Sequence, residues 1–114
     1  MKTTNIYYNI PKPGGTEIFD ELLSTGNMRI ERIISHGEKT PDGEWYDQDW
    51  DEWVILLEGG AELRIEGQAN HIKMNKGDYI LLPAHCRHRV EWTDPEIDSI
   101  WLAVHFTRKQ DSDA

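Results

Sequence analysis

The sequence predicts an all-β fold, an antiparallel sandwich or small barrel with one short N-terminal helix. Three observations carry that prediction. Apolar residues alternate with polar ones over many short runs, glycine-containing turns separate the runs at close spacing, and only one stretch has helical spacing. At 114 residues the chain is long enough for one core and short of the length at which domains divide. Residues 1–114 therefore read as a single domain, with a barrel core over about 27–107 and an N-terminal strand and helix over 4–25.

In chain order, Asn5 to Ile10 reads as an apolar-aromatic strand ended by the proline-glycine turn at 11–15. Thr16 can cap a helix that carries Ile18, Phe19, Leu22 and Leu23 on one side, with Gly26 as its stop. From Asn27 the period becomes two, with Met28, Ile30, Ile33 and Ile34 set among Arg29, Glu31 and Arg32. A polar loop leads to the acidic-aromatic segment 44–53. Val54 to Leu57 follows, apolar on both faces as in a covered strand. Gly59-Gly60 predicts a tight hairpin, and Leu63 and Ile65 alternate with Glu62, Arg64 and Glu66 in the next strand. Ile72 and Met74, then Tyr79 to Leu82, mark two more strands, the second stopped by Pro83. In the run from His88 to Trp92, His88, Val90 and Trp92 share one face and Arg87, Arg89 and Glu91 the other. The charged face is the wet one on this reading, so His88 and Trp92 point inward. Ile100 to Phe106 is the last strand, and the polar tail after it is expected to fray.

Composition narrows the function classes. The formal charge of −9, from 21 acidic against 12 basic residues, disfavours a nucleic-acid partner because phosphates would be repelled. No apolar run approaches 18 residues and no basic-then-apolar leader is present, so the expectation is a cytoplasmic protein without a membrane partner. The single cysteine, Cys86, excludes an internal disulfide and a cysteine-rich zinc site. The acidic residues at 42–51 lack the spacing of a calcium loop.

Two inward-facing ionisable residues define the candidate site. Glu52 shares a strand face with Val54 and Leu56, and His88 shares one with Val90. A buried carboxylate needs a metal, a cation or a proton, and a buried imidazole needs a partner. His105 falls in phase with Trp101 and Ala103, on a strand either face of which could be inward. Around them Tyr46, Trp50, His85, Trp92 and Trp101 are the candidates to line a pocket. An aromatic-acidic mouth suits a small polar or sugar-like ligand.

The spacing of these residues resembles the cupin superfamily. Its second motif runs glycine, five residues, Pro-x-Gly, two residues, histidine, three residues and asparagine. Here Gly77, Pro83 and His88 match, with His85 at the motif's second glycine and Trp92 at its asparagine. The first motif runs His-x-His, three or four residues, glutamate, six residues and glycine. Glu52 and Gly59 match, while the His-x-His positions carry Tyr46 and Gln48, or Trp45 and Asp47. The resemblance implies a double-stranded β-helix, or jelly-roll barrel, commonly dimeric, so a homodimer is expected.

It also implies a divalent metal, Fe, Mn, Ni or Zn, on Glu52 and His88 with Gln48 or His105 as further ligands, and an oxygenase-like activity. The missing histidine pair keeps two other readings open. Glu52 and His88 could form a metal-free acid-base pair of isomerase type, or a core contact in a barrel that binds a small molecule.

Overall fold

The computed structural model describes residues 1–108 as eight strands with no helix among them. They are β1 (Ile18–Ser24), β2 (Met28–Ser35), β3 (Asp51–Glu58), β4 (Gly60–Ile65), β5 (Ile72–Asn75), β6 (Tyr79–Leu82), β7 (His88–Thr93) and β8 (Ser99–Phe106). One sheet has the order β1-β2-β8-β3-β6 and faces a second of order β5-β4-β7, every pairing antiparallel. A jelly-roll barrel fits this order. Among the described residues no helix is long and apolar enough to cross a membrane. The expected fraying of the tail lies outside the described residues from 109 onward.

The space between the sheets is filled from both sides by Ile33, Val54, Leu56, Trp101 and Ala103 on one sheet and Ala61, Leu63, Met74 and Val90 on the other. Each large side chain taken fully from water contributes roughly 1.5–3 kcal/mol, so this layer is the main source of stability.

Four sequence expectations are corrected. The expected N-terminal helix is strand β1. Its helical spacing arises from a β-bulge between Glu21 and Leu23, which places Phe19 opposite Ile33 on the inner face and Leu23 opposite Ile30 on the outer one. The expected strand at 5–10 is a turn-rich arm. Arg32 holds it, donating to the carbonyls of Ile6 and Tyr8 at 3.0 and 2.8 Å while paired with Asp20 at 2.7 Å.

Gly59-Gly60 makes a corner instead of a hairpin, since β3 and β4 lie in different sheets. At Gly59 φ is 90° and an added Cβ would lie 2.5 Å from Ser99 Cα, so no side chain fits where the corner packs on β8.

The fourth correction concerns β7. Its register runs Leu63 to Val90 but Glu62 to Trp92, leaving Glu91 as an extra residue. That bulge turns Trp92 outward and Thr93 inward. On the outer side Arg89 is only 5% exposed, because the loop at 40–45 folds over it. The guanidinium donates to the carbonyls of Thr40, Pro41 and Glu44 at 2.8–3.1 Å, and Trp45 packs against it with ring centre 5.9 Å away. The supposed wet face thus carries a buried, satisfied arginine. The same loop pairs with β7 through Tyr46 and His88, bringing Tyr46 and Gln48 to the barrel mouth.

Candidate functional site

Between the sheets lies a cavity of about 210 Å³. Glu52 from β3, His88 from β7, Glu31 and Arg29 from β2, His105 from β8 and Glu17 just before β1 all reach its wall. Strand pairing sets the arrangement: Glu52 and Arg29 both lie opposite His105, and Glu52 also lies opposite Leu82. Paired residues share a face, so these side chains converge at one end of the barrel.

His88 has a defined tautomer. Its Nδ1 lies 2.8 Å from the carbonyl oxygen of Cys86, which can only accept, so Nδ1 carries the proton. The Nε2 lone pair then faces Glu52 Oε1 across 3.8 Å, and the ring stacks on Tyr46 at 5.4 Å between centres. Burial pushes the Glu52 carboxyl up to about 7, with the Glu31 charge adding to the rise and a hydrogen bond from Gln48 opposing it. Burial lowers His88. The contact is therefore not an ion pair at neutral pH. It is a neutral imidazole base beside a carboxyl that titrates near neutrality.

His105 is held in the opposite tautomer. Trp50 donates its indole N–H to Nδ1 at 2.8 Å, so Nε2 carries the proton and donates to Glu31 Oε1, also at 2.8 Å. Burial lowers its pKa, against the opposing pull of Glu31. Because the indole cannot accept a hydrogen bond, a protonated Nδ1 would have no partner. Glu31 Oε2 also lies 3.4 Å from Arg29 Nε, and the Arg29 guanidinium sits over the Trp50 ring at 5.4 Å. Glu17 accepts a hydrogen bond from Ser35 Oγ, and burial pushes its carboxyl up to about 7, a rise the Ser35 bond opposes and the Glu38 charge reinforces. Tyr46 is pushed up to about 12, first by burial and then by the surrounding carboxylates.

Of the residues named from sequence, Glu52, His88, Gln48, His105, Tyr46 and Trp101 line this cavity. Trp50 stands behind His105 and touches the cavity only through it. His85 does not reach it. It sits exposed on the rim, 3.1 Å from Asp47 Oδ1, and takes a φ of 64°, the left-handed conformation that explains why the motif has glycine at this position. Trp92 is outside the barrel, 42% exposed. Sequence reasoning missed Glu17, Glu31 and Arg29. The consecutive Ile33 and Ile34 were the available signal, since a strand covered on both faces must also bury the residues in phase with Ile33.

Both ring nitrogens of His105 are occupied, which leaves Glu52, His88 Nε2 and the Gln48 amide oxygen of the donors named from sequence, and among the described residues no three His, Cys, Asp or Glu side chains are placed to hold a metal. As placed, the His, Cys, Asp and Glu side chains do not form a three-ligand centre among the described residues.

The fold is thus a two-sheet antiparallel barrel with ionisable groups gathered at one end, and comparison with known proteins places it in a family. The family described as "Cupin domain" matches residues 33–105. The chain belongs to the cupin superfamily. Among solved structures it is similar to a candidate mannose-6-phosphate isomerase from Ralstonia eutropha JMP134, with 44% identity, TM-score 0.90, and 95% of this chain and 100% of that chain covered. It also resembles an RmlC-like cupin protein from Desulfovibrio desulfuricans, with 17% identity, TM-score 0.72, and 94% and 96% covered. A cupin superfamily protein from Desulfitobacterium hafniense DCB-2 shares 17% identity at TM-score 0.70, with 87% and 84% covered. These last two share the fold alone. No curated protein matches the chain.

Proposed function

We propose that the barrel binds a small polar molecule and that Glu52 and His88 exchange protons with it in a metal-free isomerisation of the aldose–ketose type. The observation that supports this reading is a fixed imidazole lone pair 3.8 Å from a buried carboxyl that burial pushes up to about 7. His88 Nε2 takes the proton from the carbon next to a carbonyl, while protonated Glu52 gives its proton to the carbonyl oxygen. Return of a proton to the neighbouring carbon and loss of one from the adjacent hydroxyl complete the step. The step is redox-neutral and needs no co-reactant. The similarity to a candidate mannose-6-phosphate isomerase supports the same reaction class.

The test is exchange of the C2 hydrogen of aldoses into D₂O, followed by proton NMR with mannose, glucosamine and mannose 6-phosphate. Exchange should be present for at least one sugar and fall by about 10²-fold or more in His88→Ala and Glu52→Gln. Absence of exchange with all three would overturn the reading.

A further inference from the structure

We infer that the cavity is shaped for a ligand carrying an ammonium group beside hydroxyl oxygens, an amino alcohol or amino sugar, in preference to an anionic one. This rests on the proposal that the barrel binds a small polar molecule, and specifies which kind. The wall holds an excess of hydrogen-bond acceptors. Glu17, Glu31 and Glu52 bring three carboxyl groups, and His88 adds the Nε2 lone pair left free by its bond to Cys86. Against these, Arg29 is the one Lys or Arg side chain on the wall among the described residues, and Glu31 already lies 3.4 Å from its Nε.

An ionised phosphate or carboxylate entering here would meet three carboxyl groups against one guanidinium whose charge Glu31 already offsets, although the Arg29 Nε–H, like the Trp101 indole, has no hydrogen-bond partner among the described residues. An ammonium brings three donors to the same carboxylates, and the Tyr46 and Trp101 rings on the wall add cation–π surface. A second observation points to the oxygen end of the ligand. Trp101 is 3% exposed and lines this cavity, yet its indole N–H has no partner among the described residues. A buried indole N–H normally finds an acceptor, which the carboxylates across the cavity do not supply. A hydroxyl or ring oxygen beside the ammonium would supply one.

Three size-related probes test this by titration calorimetry on the full chain: D-glucosamine, D-glucose and D-glucose 6-phosphate. Glucosamine should bind at least about tenfold tighter than glucose, and glucose 6-phosphate weakest of the three. Glu17→Gln should remove most of the preference for glucosamine over glucose, while the charge-retaining Glu17→Asp keeps it. Glucose 6-phosphate binding as tightly as glucosamine, or a preference unchanged in Glu17→Gln, would overturn the inference and leave small-molecule binding intact. Binding of none of the three would also overturn it, and hydrogen exchange into the sugars would then judge the broader reading separately.

Discussion

The two ends of the barrel differ in what the same strands put between the sheets. Along β3, Leu56 and Val54 face inward, and two residues earlier the position is Glu52. Along β8, Trp101 and Ala103 give way to His105, and along β2, Ile33 gives way to Glu31 and Arg29. Backbone pairing is continuous through the change: Leu56 lies opposite Trp101, Val54 opposite Ala103 and Glu52 opposite His105. One end is therefore a dry, interdigitated core, and the other is a set of titratable groups held in place by it. Apolar packing and titratable groups are divided along the strand axis, and the packed end positions the ionisable one.

The largest expected effect falls at the dry end. Leu56 is 0% exposed and packs between the sheets, so Leu56→Ala removes buried surface and leaves a cavity. It should lower stability by about 2–5 kcal/mol in urea denaturation. A loss below about 1 kcal/mol would mean that the dry end is not the source of stability, and the division between the two ends would fail.

At the ionisable end substitution should act in the opposite direction. Glu52 rises from 4.5 to about 7 on folding, so the native state prefers it protonated. Its contribution is fully present below about pH 4.5 and is lost as pH rises through 7. Glu52→Gln should remove that loss, stabilising the protein at pH 8 by about 2 kcal/mol once water in the cavity is allowed for, with little change near pH 4.5. His88 and His105 act with the other sign. Burial lowers both, so each costs stability as pH falls below 6.5. The unmodified protein should show a stability maximum at mildly acidic pH, and the variant's maximum should move upward. An unchanged high-pH limb in Glu52→Gln would show that this carboxyl is solvated in the native state.

The same division explains what could be read from the sequence. Gly77, Pro83, His88, Glu52 and Gly59 carried the family and the barrel because turn geometry ties residue type to position. Glu52 and His88 were legible as inward-facing because simple alternation holds around each of them. Alternation failed where a bulge shifts the phase, which is why the Leu22-Leu23 spacing imitated a helix and Trp92 was placed inside. It also failed where charge was taken to mean solvent. Glu31 and Arg89 are satisfied by residues far away in the chain, Glu31 by His105 and Arg89 by the carbonyls of 40–44, and no local pattern announces such partners.

The smallest expected effect is the sharpest test of that phase shift. Without a bulge at Glu91, Trp92 would continue the face of His88 and Val90, and truncating it would remove a core aromatic at a cost of about 3–5 kcal/mol. With the bulge, Trp92 is 42% exposed and its ring rests on Gly60, where a Cβ would lie 3.6 Å from the indole. Trp92→Ser should then change stability by about 1 kcal/mol or less and leave ligand affinity unaltered, as should His85→Ala on the rim. Val90→Ala, one bulge residue away but on the inner face, should be clearly the more destabilising of the two β7 variants. The order of those two measurements decides the register of β7, and with it the direction in which His88 presents its lone pair.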